Sequence, residues 1–251
     1  MNFAYLKYPW GSAWCGMMLF VGEKNILLDS AVAEALSPFL ENELAKFDLK
    51  VKDIDIVANS HFHADHVGMN EKIAKISNAE IMSFRQNLQD NSIIDGGDYQ
   101  LQVIHTPGHT ADSVSFLELS KGILFTGDAF EGRGSAYAGV ALYEDPCALL
   151  TSIEKVKKIY LKGKIKQLYL GHAYSGTCGV LEGTEILEYL KLCYDTVMAY
   201  DRLVASLAKD VSIEKTATLL QEKFAVSEVL LCRKAAEITA KAKLKEGIIY
   251  D

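Results

Sequence analysis

Three histidines and an aspartate crowd six consecutive residues of this chain. Residues 61–66 have the sequence His-Phe-His-Ala-Asp-His and follow the apolar run 54–58, which is typical of a buried strand. Imidazole nitrogens and an ionised carboxylate are ligands of divalent transition metals. The chain must therefore fold so that further ligands meet the loop after this strand.

Three more candidate ligands follow predicted strands in the same way. His109 lies in the segment Thr-Pro-Gly-His-Thr after the strand predicted at 99–104. Asp128 follows the apolar run 123–125 after one threonine and one glycine, and His172 follows the strand predicted at 167–170. Loops that follow neighbouring strands can meet at one edge of a sheet. A lone histidine is more often structural, but five histidines and two aspartates in this order form a specific pattern.

This ordered set resembles the metallo-β-lactamase superfamily from the first strands to about residue 180. The resemblance implies an α/β fold, a four-layer αββα sandwich in which two sheets lie between helices. It also implies two metal positions that share a bridging carboxylate. The implied ligands are His61, His63 and His109 for the first ion, Asp65, His66 and His172 for the second, and Asp128 for both.

The resemblance also implies the chemistry of such a site. Two divalent ions about 3.5 to 4 Å apart lower the pKa of a shared water, and the metal-bridging hydroxide attacks the substrate. We expect two Zn²⁺ ions, with iron or manganese as alternatives, because histidine and aspartate discriminate weakly among these metals. Asp65 is the candidate catalytic residue, as a ligand that also shuttles a proton. The competing interpretation is that it caps the helix beginning near His66.

The residue types at the implied ligand positions favour some subgroups of the family over others. Asp65, His66 and Asp128 resemble the glyoxalase II and lactonase group more than the best-known β-lactamases, where a cysteine commonly replaces the bridging aspartate. A histidine at position 63 disfavours an oxygen-reducing diiron site, where a glutamate is usual. We therefore predict an enzyme, a dinuclear metal-dependent hydrolase of a small ester, thioester or lactone. The alternatives are a phosphodiesterase or ribonuclease acting on nucleic acid, a non-catalytic metal-binding sensor, and sulfur oxidation at a single iron.

Residues outside the ligand set have two interpretations each. Asp29 matches an acidic residue of the family and could orient a ligand histidine, or it could simply form a turn. The segment 127–143 is the candidate substrate loop, in which Arg133 and Tyr137 would contact substrate, with a plain connection as the rival. Tyr174 could donate to an oxyanion or only pack. His105 is expected to support the site or the fold rather than to bind metal.

Composition limits the partners of the chain. Its 251 residues carry a net charge of −7, which argues against a general affinity for phosphate backbones. The lysine-rich stretches 155–166 and 233–245 are expected to be solvated helix faces. Five cysteines without close spacing predict reduced thiols and a cytoplasmic location, and no apolar run is long enough for a membrane span. The expected partner is a small-molecule substrate.

The sequence changes character after residue 183. We predict a metal domain over 1–183 and a C-terminal helical appendage over 184–251. The appendage would contain a long helix over 184–208, two helices capped by Ser212 and Ser227, and a short final strand. It weakly resembles a reduced winged helix. The alternative is a helical lid or a dimerisation arm that forms a homodimer.

Overall fold

The computed structural model describes residues 1–10, 13–36, 38–134, 141–174 and 177–206, with two isolated positions at 218 and 222. The strands in these ranges are β1 (Asn2–Trp10), β2 (Ala13–Val21), β3 (Ile26–Leu28), β4 (Ile56–Ala58), β5 (Glu80–Met82), β6 (Ile93–Asp95), β7 (Gln100–His105), β8 (Val114–Glu118), β9 (Ile123–Phe125), β10 (Gln167–Tyr169) and β11 (Val180–Glu182). The α-helices are α1 (Phe39–Ala45), α2 (Ala64–Val67), α3 (Asn70–Ser77), α4 (Pro146–Leu161) and α5 (Glu185–Ser206).

The strands form two mixed sheets. The first has the order β1-β2-β3-β4-β5, and the second has the order β11-β10-β9-β8-β7-β6. In the first sheet β3, β4 and β5 run parallel, and in the second sheet β9 and β10 run parallel. Because parallel strands end at the same edge, the loops after β3, β4, β9 and β10 are delivered to common edges.

Three apolar clusters separate four layers. One lies between the sheets and includes Phe20 of β2 and Phe116 of β8. A second packs the outer face of the first sheet against α1 and α3, and a third packs the outer face of the second sheet against α4 and α5. Burial of these three interfaces is the main driving force for this layering. The structure confirms the predicted four-layer αββα sandwich.

Local sequence explains where the helices begin. The sequence Asp145-Pro146 predicts a helix cap followed by a proline at the first helical position. The structure confirms this, because Asp145 Oδ1 accepts a hydrogen bond of 2.8 Å from the Ala148 N–H at the start of α4. Pro38 lies just before α1 rather than within it. Ser37, predicted as the cap of α1, lies outside the described residues.

Two short strands depart from the predicted organisation. The sequence predicts a loop over 84–98, but residues Ile93–Asp95 form β6 and pair with β7. Only Ile94 of β6 is buried, so its short alternating pattern is hidden among polar neighbours. The strand β11, which pairs antiparallel with β10 at the opposite edge, is likewise absent from the sequence prediction. Edge strands of this kind depend on pairing more than on their own apolar pattern.

The long helix α5 is part of the outer layer of the sandwich. Its residues Ile186, Tyr189 and Leu190 are buried in the same cluster as α4. The division into domains at residues 183 and 184 stays a prediction. The helices predicted after Ser212 and Ser227 and the final strand lie outside the described residues. In the part of the chain that the structure describes, no helix is both long enough and apolar enough for a membrane span.

Candidate metal centre

Backbone hydrogen bonds bring the candidate ligands to one edge of the sandwich. Beyond β9 and β10, the Thr126 N–H donates to the Tyr169 carbonyl at 2.9 Å and the Gly171 N–H donates to the Gly127 carbonyl at 2.8 Å. A Cβ atom on Gly171 would lie 2.2 Å from Asp128 Oδ1, so only glycine permits this close approach. Residues 128 and 172, distant in sequence, are therefore neighbours.

The carboxylate of Asp128 lies at the centre of the histidines. Its Oδ2 lies 3.2 Å from His66 Nε2, 3.4 Å from His172 Nε2, 3.8 Å from His109 Nε2 and 4.0 Å from His61 Nε2. One carboxylate oxygen thus faces four imidazole nitrogens. This is the arrangement expected of a ligand shared by two metal positions.

Two ligand groups form on either side of this carboxylate. In the first group, the ligand atoms of His61, His63 and His109 all lie within 4.8 Å of one another, and His109 Nε2 is 3.0 Å from His63 Nδ1. In the second group, His172 Nε2 is 3.2 Å from Asp65 Oδ2 and 3.3 Å from His66 Nε2. The structure therefore brings all seven predicted ligands together in two groups.

The other ring nitrogen of four of these histidines is held by the protein. His61 Nδ1 contacts Ser60 Oγ at 3.1 Å, and His109 Nδ1 contacts the Leu142 carbonyl at 2.8 Å. The remaining two contacts join His66 Nδ1 to Asp29 Oδ2 at 2.7 Å and His172 Nδ1 to the Trp14 carbonyl at 2.8 Å. Such contacts fix the tautomer and orientation of a ligand imidazole. The Asp29 contact agrees with its predicted orienting role.

Comparison with known proteins decides the family. The model of the metallo-β-lactamase superfamily matches residues 8–90 and 85–172. The chain belongs to the metallo-β-lactamase superfamily. Hydroxyacylglutathione hydrolase of Francisella tularensis subsp. novicida is 27% identical over 205 residues, which are 75% of this chain and 79% of that protein. Probable hydroxyacylglutathione hydrolase glo2 of Schizosaccharomyces pombe is 30% identical over 132 residues, 47% of this chain and 50% of that protein.

A solved structure shares the fold over nearly the whole chain. The crystal structure of a metallo-β-lactamase family protein from Thermus thermophilus matches with a TM-score of 0.76 at 17% identity. The match covers 98% of this chain and 93% of that one. At this identity the match shows a common architecture.

The superfamily implies a dinuclear metal centre, and the residues present fit one. His61 Nε2 and Asp128 Oδ1 are buried and have no hydrogen-bond partner among the described residues. Burial, together with the neighbouring histidines His66 and His109, lowers the pKa of His61 well below its usual value, so its imidazole is neutral. An unpartnered buried polar atom costs about 1 to 3 kcal/mol. A neutral imidazole nitrogen and an ionised carboxylate, here His61 Nε2 and Asp128 Oδ2 at 4.0 Å, are suitable ligands for one metal ion.

The second ligand group is a network of charges in the metal-free protein. Burial lowers the pKa of the His66 imidazole, but the carboxylates of Asp128 and Asp29 outweigh burial and raise it well above its usual value. Burial likewise opposes the charge on His172, whose pKa Asp128 and Asp65 nevertheless raise well above the ordinary value. Burial raises the pKa of Asp128, yet His172 and His66 hold it well below its usual range. Metal ions must therefore displace protons from this group.

The site also contains two buried residues that were not predicted from the sequence. Glu131 Oε1 lies 2.8 Å from His109 Nδ1, and Glu131 is only 8% exposed. Cys15 is fully buried and lies opposite His172 in a β-bridge, with its sulfur within 4.8 Å of ligand atoms of Asp65 and His172. The position of Glu131 three residues after Asp128 gives no signal of its own, because the contact with His109 forms only in the folded chain. Nothing in the local sequence marks Cys15.

The predicted substrate residues have different surroundings. Arg133 is exposed next to a turn in which the Gly134 N–H donates to the Glu131 carbonyl at 2.8 Å. Tyr137 lies outside the described residues. Tyr174 is 2% exposed, and its ring meets the His172 ring edge-on at 6.0 Å.

The rings of Trp10, Trp14 and His105 have different surroundings. The ring of Trp10, 49% exposed at the end of β1, lies 6.1 Å from the His172 ring. Trp14 instead packs against Tyr5 at 5.6 Å. His105 stacks on Phe84 at 4.1 Å and belongs to none of the ligand groups among the described residues. The expected supporting role of His105 agrees with these contacts.

The pair of His109 and Glu131 makes the stability of the metal-free protein depend on pH. Burial lowers the pKa of His109, but the Glu131 hydrogen bond and charge outweigh burial and raise it from 6.5 to about 9. This contribution to folding is fully present below pH 6.5 and is lost as pH rises through 9. We therefore expect the free energy of unfolding of metal-free protein to fall between these two pH values.

Urea unfolding of metal-free and zinc-loaded protein at both pH values measures this effect. The loaded protein should show the opposite trend, because protons compete less with metal at higher pH. Metal-free protein that becomes more stable between pH 6.5 and 9 would contradict the prediction.

Proposed function

We propose that this protein is a dinuclear metal-dependent hydrolase of small thioesters, esters or lactones, with two Zn²⁺ ions as its cofactor. The observation that supports it best is the convergence of His61, His63 and His109 on one side of Asp128 and of Asp65, His66 and His172 on the other. Curated relatives at modest identity are named hydroxyacylglutathione hydrolases, which favours a thioester of glutathione type. Imidazole nitrogens and carboxylate oxygens suit zinc, and iron or manganese remain the alternatives for the same donors.

The metal pair would supply an activated water and polarise the substrate carbonyl. The first group of histidines would hold one ion, the second group with Asp65 would hold the other, and Asp128 would contact both. The chain contributes pre-oriented ligands, since Asp29, Ser60 and the backbone fix the imidazole rings before metal binds. Pre-orientation reduces the reorganisation that metal and substrate binding require.

Asp65 is the residue we propose as proton shuttle. It lies in the first turn of α2 and is partly accessible, with its side chain 19% exposed, whereas Asp128 is 8% exposed. Burial raises the pKa of Asp65, but a hydrogen bond with His172 brings it below its usual value. An ionised carboxylate at the open side of the site can accept a proton at Oδ and pass it to the leaving group. The alternative from sequence, helix capping by Asp65, is wrong, because α2 begins at Ala64, its N-cap position is His63 and no side-chain capping hydrogen bond is present.

Tyr174 is the residue we propose as hydrogen-bond donor to the substrate. Its hydroxyl is buried and close to the Asp128 carboxylate, without a hydrogen bond of regular geometry among the described residues. Burial and the Asp128 charge raise its pKa well above the ordinary value, so the hydroxyl keeps its proton. A protonated phenol close to Asp128 would stabilise negative charge on a substrate oxygen bound beside this carboxylate.

Replacement of Tyr174 by phenylalanine tests this role. We expect kcat to fall about 10²-fold, the typical loss of one oxyanion donor, with KM nearly unchanged. Tyr169→Phe is the control, because the Tyr169 hydroxyl donates to Gln167 Oε1 at 3.2 Å rather than facing a ligand residue. A Tyr174→Phe enzyme with unchanged kcat would leave Tyr174 only a packing role.

The function itself is tested by metal removal and restoration. Purified protein is analysed for metal content and assayed on thioesters, esters, lactones and a phosphodiester before and after chelation. We expect two zinc ions per chain, and hydrolysis of at least one carbonyl compound that chelator abolishes and zinc restores. Activity that resists chelation, or hydrolysis of the phosphodiester alone, would refute the proposal.

A further inference from the structure

The site contains two buried carboxylate–imidazole pairs, one on each side of Asp128. In the second ligand group, Asp29 contacts His66 Nδ1 at 2.7 Å. In the first ligand group, Glu131 contacts His109 Nδ1 at 2.8 Å. Both carboxylates are buried behind the imidazole, on the side away from the nitrogen that faces Asp128.

The two carboxylates are anchored in different parts of the fold. Asp29 follows β3 and is held by Ser60, whose N–H and Oγ each donate to it at 2.7 Å. Glu131 belongs to the segment after β9, where its Oε2 accepts the Leu142 N–H at 2.9 Å. The carbonyl of Glu131 also accepts the Gly134 N–H at 2.8 Å in the turn that exposes Arg133. Glu131 thus joins a ligand histidine to the beginning and end of the candidate substrate loop.

We propose that Glu131 is a positioning residue that sets the affinity of the first metal position and connects His109 to the loop carrying Arg133. The inference rests on the proposed metal centre but not on which substrate it hydrolyses. Its physical basis is charge and geometry. A carboxylate on Nδ1 fixes the tautomer in which Nε2 offers its lone pair, and it makes that nitrogen a stronger donor to a cation.

The Glu131→Gln variant isolates the charge. Glutamine keeps the length and volume of the side chain, and the Leu142 carbonyl remains 2.8 Å from His109 Nδ1, so the imidazole keeps one acceptor. Because His109 contacts Oε1 and the Leu142 N–H bonds to Oε2, a glutamine in the same position turns its NH₂ group towards one of these two donors. The variant therefore weakens the support of His109 without opening a cavity.

Glu118→Gln provides a matched control. Glu118 is a fully buried glutamate at the end of β8, where its carboxylate accepts hydrogen bonds from Ser120 and from the Lys121 N–H. These contacts lie away from the ligand histidines. A general effect of neutralising a buried glutamate should therefore appear in both variants, while a specific effect on the metal centre should appear only in Glu131→Gln.

The experiment is a zinc titration of the metal-free wild type and both variants against a chromogenic chelator. We expect Glu131→Gln to lose about 10- to 100-fold in one of two stepwise constants while the other changes little, and Glu118→Gln to match the wild type. Cobalt-loaded protein gives a second readout, because the visible bands of only one cobalt position should shift in Glu131→Gln. Unchanged constants and bands, an equal loss at both positions, or the same loss in Glu118→Gln would overturn the inference.

Activity plays no part in this test. A wild type that binds two ions but hydrolyses none of the substrates would refute the proposed function and leave the role of Glu131 to be decided by the titration. A wild type that binds no pair of ions would refute both.

Discussion

Replacing Asp128 by asparagine is expected to abolish most of the hydrolysis and to disrupt binding of the metal pair. The Oδ2 atom of Asp128 lies within 4.0 Å of four ligand imidazoles, so its charge balances both positions. Asparagine has nearly the same shape but no charge. Loss of metal-derived charge stabilisation of several kcal/mol corresponds to about a thousandfold in kcat/KM.

Metal content and kcat/KM of Asp128→Asn, measured beside wild type, check this expectation. Asp90→Asn is the control, since Asp90 pairs with Lys155 at 2.9 Å, away from the ligand histidines. The control should retain two ions and wild-type kcat/KM. An Asp128→Asn enzyme that keeps two ions and more than about a tenth of its activity would contradict the assignment of a shared ligand.

The ligand set was predictable because its signal is local. Each candidate follows a short apolar run, and such runs form the strands β4, β7, β9 and β10 whatever their later partners are. The order of ligand types along the chain then indicated the family, and the family implied the four layers. Periodicity alone did not specify how the two sheets face each other.

Features that depend on contacts distant in sequence could not be predicted. Cys15 is an ordinary residue of an apolar strand until β2 meets the segment containing His172. The strand β6 has one buried side chain, so only its pairing with β7 identifies it. Glu131 could equally have been a solvated loop residue, and its burial depends on Leu142 and His109 arriving from two other segments. Tertiary packing, rather than local propensity, decides these cases.

The second large effect is expected at Asp29, which supports the site from the core. Asp29 is fully buried, and three donors converge on its carboxylate: Ser60 N–H, Ser60 Oγ and His66 Nδ1, each at 2.7 Å. In Asp29→Asn the NH₂ group of the side chain is a donor that faces the donors of Ser60 or His66. The substitution also removes the negative charge beside His66. Breaking one partner of a buried charged pair costs about 3 to 5 kcal/mol.

The backbone conformation at position 29 allows asparagine with little added strain, and a second aspartate in the same conformation provides the control. Asp29 has φ of 58°, in the left-handed region that asparagine tolerates, so the variant adds little backbone strain. Asp48 has φ of 59° and lies away from the site, so Asp48→Asn repeats the same chemical change in the same conformation. We expect Asp48→Asn to change the free energy of unfolding by less than about 0.5 kcal/mol.

Urea unfolding of the metal-free proteins measures the stability difference, and zinc titration measures the effect on the metal centre. Asp29→Asn should unfold about 3 kcal/mol more easily than wild type and lose about 10- to 100-fold in the affinity of one metal position. This loss should fall at the position that Glu131→Gln leaves unchanged, because Asp29 supports His66 and Glu131 supports His109. If both variants weakened the same cobalt band, the two carboxylates would not serve separate positions, and the division of the ligands into two groups would be wrong.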